Sequence, residues 1–401
     1  MSFETYQPSN IFLDENKNKY QDIDIKNDVV TVENGTILVS DSFQESGVYD
    51  ENGDLCPDSV LLRGNANRPT AIHKNINCEN FIDEPVVYLG GSYMFSHFGH
   101  FLVEGLARTW ALLDKKYNKL KVVIFYETKQ KLPSFVRLML NALGVVDENI
   151  LVIYKTTKFA KVFVPIQAMN GHLYILPIMN KVFDNISSNM SKANYENYDK
   201  IYLSRSRMND GRTFGENSVE NIFAKNGYKI IYPETLPLEQ QIFLAKNCKE
   251  MAGTAGTALH LALFMKRGGR VIQIKRNSTE SDNINTQKLI CDLRGLDLVW
   301  IYGTVETVAT DHFTQFPQII GTTKYLTDFF DDNHFVYADK DITPDTVAIK
   351  KYLRQIRIYR AHKIYAKVMN TPIKFISLFG ISKHGRKNIR EYLRKKLRAQ
   401  Y

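Results

Sequence analysis

Short apolar runs separated by Asn, Asp and Gly turns mark the first 85 residues. Val29–Val32, Thr36–Val39 and Val60–Leu62 read as brief strands joined by loops. The pattern changes at Pro85, where apolar runs begin to alternate with helical periods. It predicts a strand over Pro85–Leu89, a turn at Gly90–Gly91, a helix over Phe98–Leu113, a strand over Lys121–Tyr126, a helix over Ser134–Leu143 and a strand over Ile150–Tyr154. Strands that are apolar throughout imply a sheet covered on both faces. The polar stretch Ser187–Asp199 is either an interdomain linker or the end of a helix. A second series follows, with strands at Lys200–Leu203, Lys229–Ile231, Glu250–Ala252 and Arg270–Gln273. Its helices fall at Val219–Asn226, Leu238–Asn247 and Ala258–Phe264, and Asp297–Tyr302 and Phe335–Tyr337 could add edge strands. Two such series predict an α/β protein of two Rossmann-like domains flanking a cleft, over residues 1–190 and 191–340, followed by a basic helical tail over 341–401.

Composition narrows the class. A chain of 401 residues exceeds one ordinary domain, and 44% hydrophobic content excludes global disorder. No run approaches the roughly 20 apolar residues needed to span a bilayer. The first 20 residues carry neither a basic nor an apolar leader pattern, which predicts no signal peptide. Cys56, Cys78, Cys248 and Cys291 are scattered without metal-type spacing, as expected of a reduced, cytoplasmic protein. The net charge of +9 is uneven: residues 351–401 carry +14 and the preceding 350 carry −5.

That tail interleaves Ile349, Tyr352, Leu353, Ile356 and Tyr359 with Lys and Arg, breaks at Thr371-Pro372, and closes with a basic run. Basic amphipathic helices suit an anionic membrane surface, here through residues 350–401. The alternatives are a helix packed back on the body and, less favoured, nucleic acid, for which no recognition module accompanies the charge.

The chemistry concentrates in Ile201–Ile274. Arg205 and Arg207 follow an apolar strand, and Arg212 sits in the next turn. Open α/β sheets bind ligands at strand C-terminal ends, where guanidinium groups can neutralise a diphosphate. The loop Gly253-Thr254-Ala255-Gly256-Thr257-Ala258 then opens a helix, so the N–H groups of Thr257, Ala258 and Leu259 could meet a phosphate. It is neither a Walker loop nor a three-glycine dinucleotide fingerprint, which disfavours ATP and NAD. Alone, the loop could equally be a turn with Thr257 as N-cap, and the arginines solvated surface groups.

Together these features resemble family 61 glycosyltransferases. The similarity lies in Ser-Arg-Ser-Arg at 204–207, Gly215-Glu216, the Gly-Tyr-Lys-Ile-Ile strand, Pro233-Glu234, Leu238-Glu-Gln-Gln241, the Gly-x-x-Gly loop and the upstream block Phe95–Arg108. Departures are Ala255-Gly256-Thr257 where many relatives have His-Gly-Ala, Gly215-Glu216 where Asn-Glu is common, and Leu261, beside His260, where Asn is frequent. They fit the bacterial capsule or lipopolysaccharide branch. The resemblance implies an inverting transferase with a GT-B-like fold, no cofactor and no obligatory metal. It implies a nucleotide-sugar donor, a UDP-sugar by family analogy, held by Arg205, Arg207, Arg212, Glu234, Gly253, Thr254, Gly256, Thr257, Ala258 and His260. The acceptor would be a glycan or lipid-linked glycan, and the enzyme would sit on the inner face of the plasma membrane. The rival function is a non-catalytic sugar-binding or scaffold protein of a polysaccharide assembly complex.

An inverting transfer needs one base for the acceptor hydroxyl. His97, His100, Glu104 and Arg108 are spaced 3, 4 and 4 apart and fall on one helix face, with Phe98, Phe101, Leu102, Leu106 and Trp110 opposite. His100 or Glu104 is the candidate base, and His97 lies beside them. The alternative is a helix-end histidine with Glu104 and Arg108 in an ordinary ion pair. Metal sites are poorly supported: His97 and His100 lack a third ligand, Asp22-Ile-Asp24 lies in a polar stretch, and Asp331-Asp332 reads as a turn.

Overall fold

A computed structural model describes residues 1–7, 28–40, 45–62, 72–78, 80–190, 194–208, 213–276, 284–306, 318–343, 345–358 and 361. Arg212, the Asp22–Asp24 tripeptide and nearly all of the tail beyond 358 lie outside these residues.

Two sheets organise the chain. Strand β1 (Phe3–Tyr6) joins the second of them. The first contains β2 (Val29–Glu33), β3 (Thr36–Leu38), β4 (Gly47–Tyr49), β5 (Asn80–Gly91), β6 (Lys121–Phe125), β7 (Ile150–Ile153) and β8 (Thr157–Pro165). Their order is β4-β3-β8-β5-β6-β7, with β2 also pairing β8. The contacts of β5 with β6 and β8, and of β6 with β7, are parallel; β2 and β3 lie antiparallel to β8.

The second sheet adds β9 (Lys200–Leu203), β10 (Lys229–Ile231), β11 (Glu250–Thr254), β12 (Arg270–Lys275) and β13 (Asp297–Tyr302), in the order β1-β13-β12-β11-β9-β10. Every neighbouring pair is parallel. The chain starts at β9, steps outward to β10, then returns past β9 to β11 and continues the other way. The loops leaving β9 and β11 therefore diverge, and such a reversal opens a crevice at the strand C-terminal ends.

The helices used below are α1 (Phe98–Val103), α2 (Ser134–Ala142), α3 (Met179–Met190), α4 (Glu216–Lys225), α5 (Leu238–Asn247), α6 (Ile284–Arg294) and α7 (Lys324–Asp332). One face of the second sheet presents Tyr202, Ala252, Ile272 and Val299 to Val219, Ile222 and Phe223 of α4 and to Phe329 and Phe330 of α7. The other presents Ile201, Leu203, Met251, Val271 and Leu298 to α5, α6 and the 257–264 turns. This second cluster continues without a break into Val87, Leu89, Val122 and Ile124 of the first sheet. Apolar burial thus clamps the two α/β series together, each fully buried Leu or Ile contributing about 1.5–3 kcal/mol.

Several expectations change. The helix foreseen over Phe98–Leu113 breaks at Glu104 (φ −137°, ψ −46°), and Gly105–Leu113 continues as tighter 3-10 turns. A Cβ on Gly105 would stand 2.6 Å from the Phe101 ring, so the chain passes too close there for any larger residue. Gly90 and Gly91 end β5 instead of forming a turn. Val60–Leu62 lies outside every strand. Asp331 and Asp332 close α7. Phe335–Tyr337 is not a strand either; its rings pack on α7, with Phe335 5.1 Å from Phe330. The start of the tail is helical over 346–358, and Tyr352 and Ile356 bury against Ile319 and Phe214. Among the described residues no helix is long and apolar enough to cross a membrane.

Phe223 centres the outer core, its ring 4.9 Å from Tyr202 and Tyr228 and 5.3 Å from Phe335. Phe223→Ala should cost about 3–5 kcal/mol in urea unfolding. A loss below about 1 kcal/mol would show that this aromatic cluster does not hold α4 to the sheet.

Candidate functional site

Arg205 leaves the end of β9, where its backbone N–H donates to Glu216 Oε2 at 3.1 Å. Its side chain reaches across the crevice to the loop after β11. The Nη1 of Arg205 stands 3.4 Å, and the Nη2 of Arg276 3.9 Å, from where a Cβ on Gly256 would lie. Gly256 itself has φ 156° and ψ 178°, a region that is essentially Gly-only. Two guanidinium groups and a bare backbone therefore meet at one point. Such an arrangement suits a small polyanion.

The loop winds directly into 3-10 turns over Thr257–Phe264, not the α-helix expected over Ala258–Phe264. This changes the amide inventory. The N–H of Leu259 is taken by Gly256 O at 3.1 Å, so it is not available to a ligand. The N–H groups of Thr257 and Ala258 begin the turns, where no preceding turn supplies them a carbonyl. Thr254 is 2% exposed, and its Oγ1 has no hydrogen-bond partner among the described residues. Gly253 permits close passage to β9, since its Cβ would lie 2.8 Å from Leu203 O.

Helix α1 delivers the second half of the site. Gly99 packs directly on the loop: a Cβ there would stand 2.6 Å from Thr257 Oγ1. His100, one residue on, places Nδ1 2.9 Å from Glu104 Oε2. The carboxylate is buried at 1% exposure and the imidazole is 31% exposed. An ionised carboxylate can only accept, so it pairs with a protonated Nδ1, the tautomer in which Nε2 holds the ring's lone pair. The His97 ring lies 5.0 Å from that of His100.

His260 sits behind the loop, its Nδ1 3.4 Å from Gln287 Oε1 on α6. Burial, with the nearby charges of His100, His172 and His97, pulls it down to about 4, so it is neutral at pH 7.

Other candidates separate. Arg207 is exposed and stacks 3.7 Å over the Tyr232 ring. Glu234 is exposed on the turn after edge strand β10. Arg108 does not share the face of His100 and Glu104, because the break at Glu104 turns it inward. It is fully buried, donates to Asp58 O at 2.7 Å and Val60 O at 3.1 Å, and lies 5.5 Å from the Tyr88 ring. Its role is to tie the N-terminal segment to the first sheet.

Two cations were not foreseen. Lys275 ends β12 fully buried, its Nζ 4.8 Å from the Trp300 ring, and Arg276 follows it toward Gly256. The signal was present: Ile-Lys-Arg closing an apolar strand is the same strand-end pattern that marked Arg205. Glu216 and Glu220 on α4 were also missed as site residues, although they hold the arginine turn. Burial pushes Glu216 up to about 7, opposed by the Arg205 N–H, the Tyr202 hydroxyl and the Arg205 charge. Among the described residues no group of three His, Cys, Asp or Glu is placed to hold a metal ion.

The family model described as Glycosyltransferase 61 matches residues 98–272. The match runs from the start of α1 into β12, so it contains His100, Glu104, the arginine turn and the glycine-threonine loop. Over this stretch, somewhat less than half of the chain, the protein is similar to that family. No curated protein matches the chain.

His260 yields a pH test. Its folded pKa lies below the unfolded value near 6.5, so the unfolded chain binds the extra proton between about 6.5 and 4, and stability falls as pH falls through that window. Relative to His260→Gln, the protein should lose about 1.4 kcal/mol per pH unit there. Parallel stability curves for the two proteins would contradict a buried neutral imidazole.

Proposed function

We propose that the chain is an inverting, metal-independent glycosyltransferase, with the two α/β series acting as Rossmann-like domains of a GT-B-like enzyme. The supporting observation is the apposition of Gly99 and Thr257, which sets the His100–Glu104 pair against the Arg205–Gly256–Arg276 point. In this reading His100 Nε2 takes the proton of an acceptor hydroxyl, whose oxygen attacks the anomeric carbon. The bond from that carbon to the donor diphosphate breaks, and the electron pair leaves with the diphosphate. Arg205, Arg276 and the N–H groups of Thr257 and Ala258 neutralise it. Glu104 holds the imidazole in the productive tautomer and stabilises the imidazolium that forms.

The donor is proposed to be a UDP-sugar and the acceptor a glycan or lipid-linked glycan of a bacterial capsule or lipopolysaccharide. The helix over 346–358 favours a lipid-borne acceptor. Its outer face exposes Lys350, Lys351, Arg354 and Arg357 beside Val347, Leu353 and Ile358. A stripe mixing cations with apolar groups suits the inner, anionic face of the plasma membrane in a cytoplasmic protein.

In a screen of nucleotide sugars with glycan acceptors, the protein should release nucleoside diphosphate, and His100→Ala should lower turnover 10²–10⁴-fold with the fold intact. Full activity in that variant would eliminate His100 as the base; no release with any donor would favour the scaffold reading. Reversing Lys350, Arg354 and Arg357 to Glu should weaken sedimentation with vesicles rich in anionic phospholipid at least tenfold, each nearby basic residue being worth about 1 kcal/mol. Unchanged sedimentation would refute the docking role of this helix.

A further inference from the structure

Helix α4 carries two carboxylates one turn apart, Glu216 and Glu220, and both are buried, at 2% and 7% exposure. Burying a pair of like-charged groups is costly unless hydrogen bonds compensate. Here the compensating donors come from strand β9 and from one turn beyond it. Glu216 accepts the Arg205 N–H at 3.1 Å on Oε2 and the Tyr202 hydroxyl at 3.2 Å on Oε1. Glu220 Oε2 accepts the hydroxyls of Ser204 and, at 2.9 Å, of Ser206. Ser204 Oγ in turn accepts the Ser206 N–H at 3.0 Å. On its other side Glu220 Oε1 accepts the Tyr232 hydroxyl at 3.4 Å, and the Tyr232 ring underlies Arg207 at 3.7 Å. Glu216 thus holds the backbone at Arg205, and Glu220 holds the serine side chains on either side of it. Gly215 sets the helix start for them, with φ 83° and no room for a side chain, since a Cβ would lie 2.1 Å from Ile320 O.

We propose that Glu216 and Glu220 are positioning residues that fix the Ser204–Arg207 turn so that Arg205 is held, before ligand arrives, over the diphosphate point at Gly256. The proposal rests on the transferase reading above. Its energy comes from preorganisation: an arginine on an unheld turn must lose loop and rotamer entropy on binding, which lowers affinity without removing a contact. The carboxylates would not touch the ligand themselves.

The test is titration of uridine diphosphate into the full chain by calorimetry. Glu220→Ala should weaken binding about tenfold or more, whereas Glu220→Gln, whose amide can still bond the serine hydroxyls, should recover most of the affinity. Ser206→Ala, which removes one outer hydroxyl with little demand on the core, should weaken binding about threefold to tenfold and covers the case in which Glu220→Ala fails to fold. The loss should be shared with the guanidinium: in Arg205→Ala, adding Ser206→Ala should cost no further affinity. Unchanged binding in Ser206→Ala, or equal losses with and without Arg205, would overturn the positioning role. A wild-type protein that binds no uridine diphosphate but releases another nucleoside diphosphate in the transfer assay would overturn the choice of uridine, and one that binds no nucleoside diphosphate would overturn the diphosphate point and the positioning role with it.

Discussion

The whole site depends on the contact between Gly99 and Thr257. Neither residue carries much chemistry, yet their approach joins a helix of the first α/β series to the glycine-threonine loop of the second. A single methyl group on Gly99 would intrude to 2.6 Å of the Thr257 hydroxyl. The approach is held from beneath by one apolar core that runs from Val87 and Ile124 to Leu203 and Val271. Because protein interiors are close-packed, the spacing between the imidazole and the arginine pair is set by this core.

Charge is distributed around that contact with little waste. The order of strands in the second sheet reverses between β9 and β11, and the groups at the crevice come from the ends of three neighbouring strands. Arg205 and Arg276, with the N–H groups that begin the 257–264 turns, supply positive potential, while His260 behind the loop is kept neutral by burial. The acidic groups, Glu104, Glu216 and Glu220, stand behind the first layer and orient it. Positive groups in front and carboxylates behind form an arrangement suited to a leaving diphosphate and a proton-accepting base.

Much of this was legible in the sequence, and the exceptions have physical causes. Strands such as Lys121–Phe125 and Arg270–Lys275 were readable because a strand covered on both faces must be apolar throughout. Strand Thr157–Pro165 was not, because Lys158 and Lys161 interrupt its run where it pairs with β2 and β3. The pairing of β1 with β13 joins residues nearly 300 positions apart, which no local pattern reports. Periodicity placed Arg108 with His100, but the helix breaks at Glu104 and the 3-10 turns that follow carry Arg108 into the core. Glu216 and Glu220 look like a solvated acidic face at i and i+4; only the packing of α4 on the sheet buries them. Arg205, Gly256 and His100 could be named as candidates because strand ends, glycine loops and ionisable helix faces are local features.

The most direct measurement of the central claim is a calorimetric comparison of nucleoside diphosphate binding by the wild-type chain, Arg205→Ala and Arg276→Ala. The wild type should bind uridine diphosphate and either substitution should weaken it at least tenfold, each guanidinium contributing a charge-assisted contact of about 1.5–3 kcal/mol. Binding that survives both substitutions, or its absence for every nucleoside diphosphate tested, would contradict that claim.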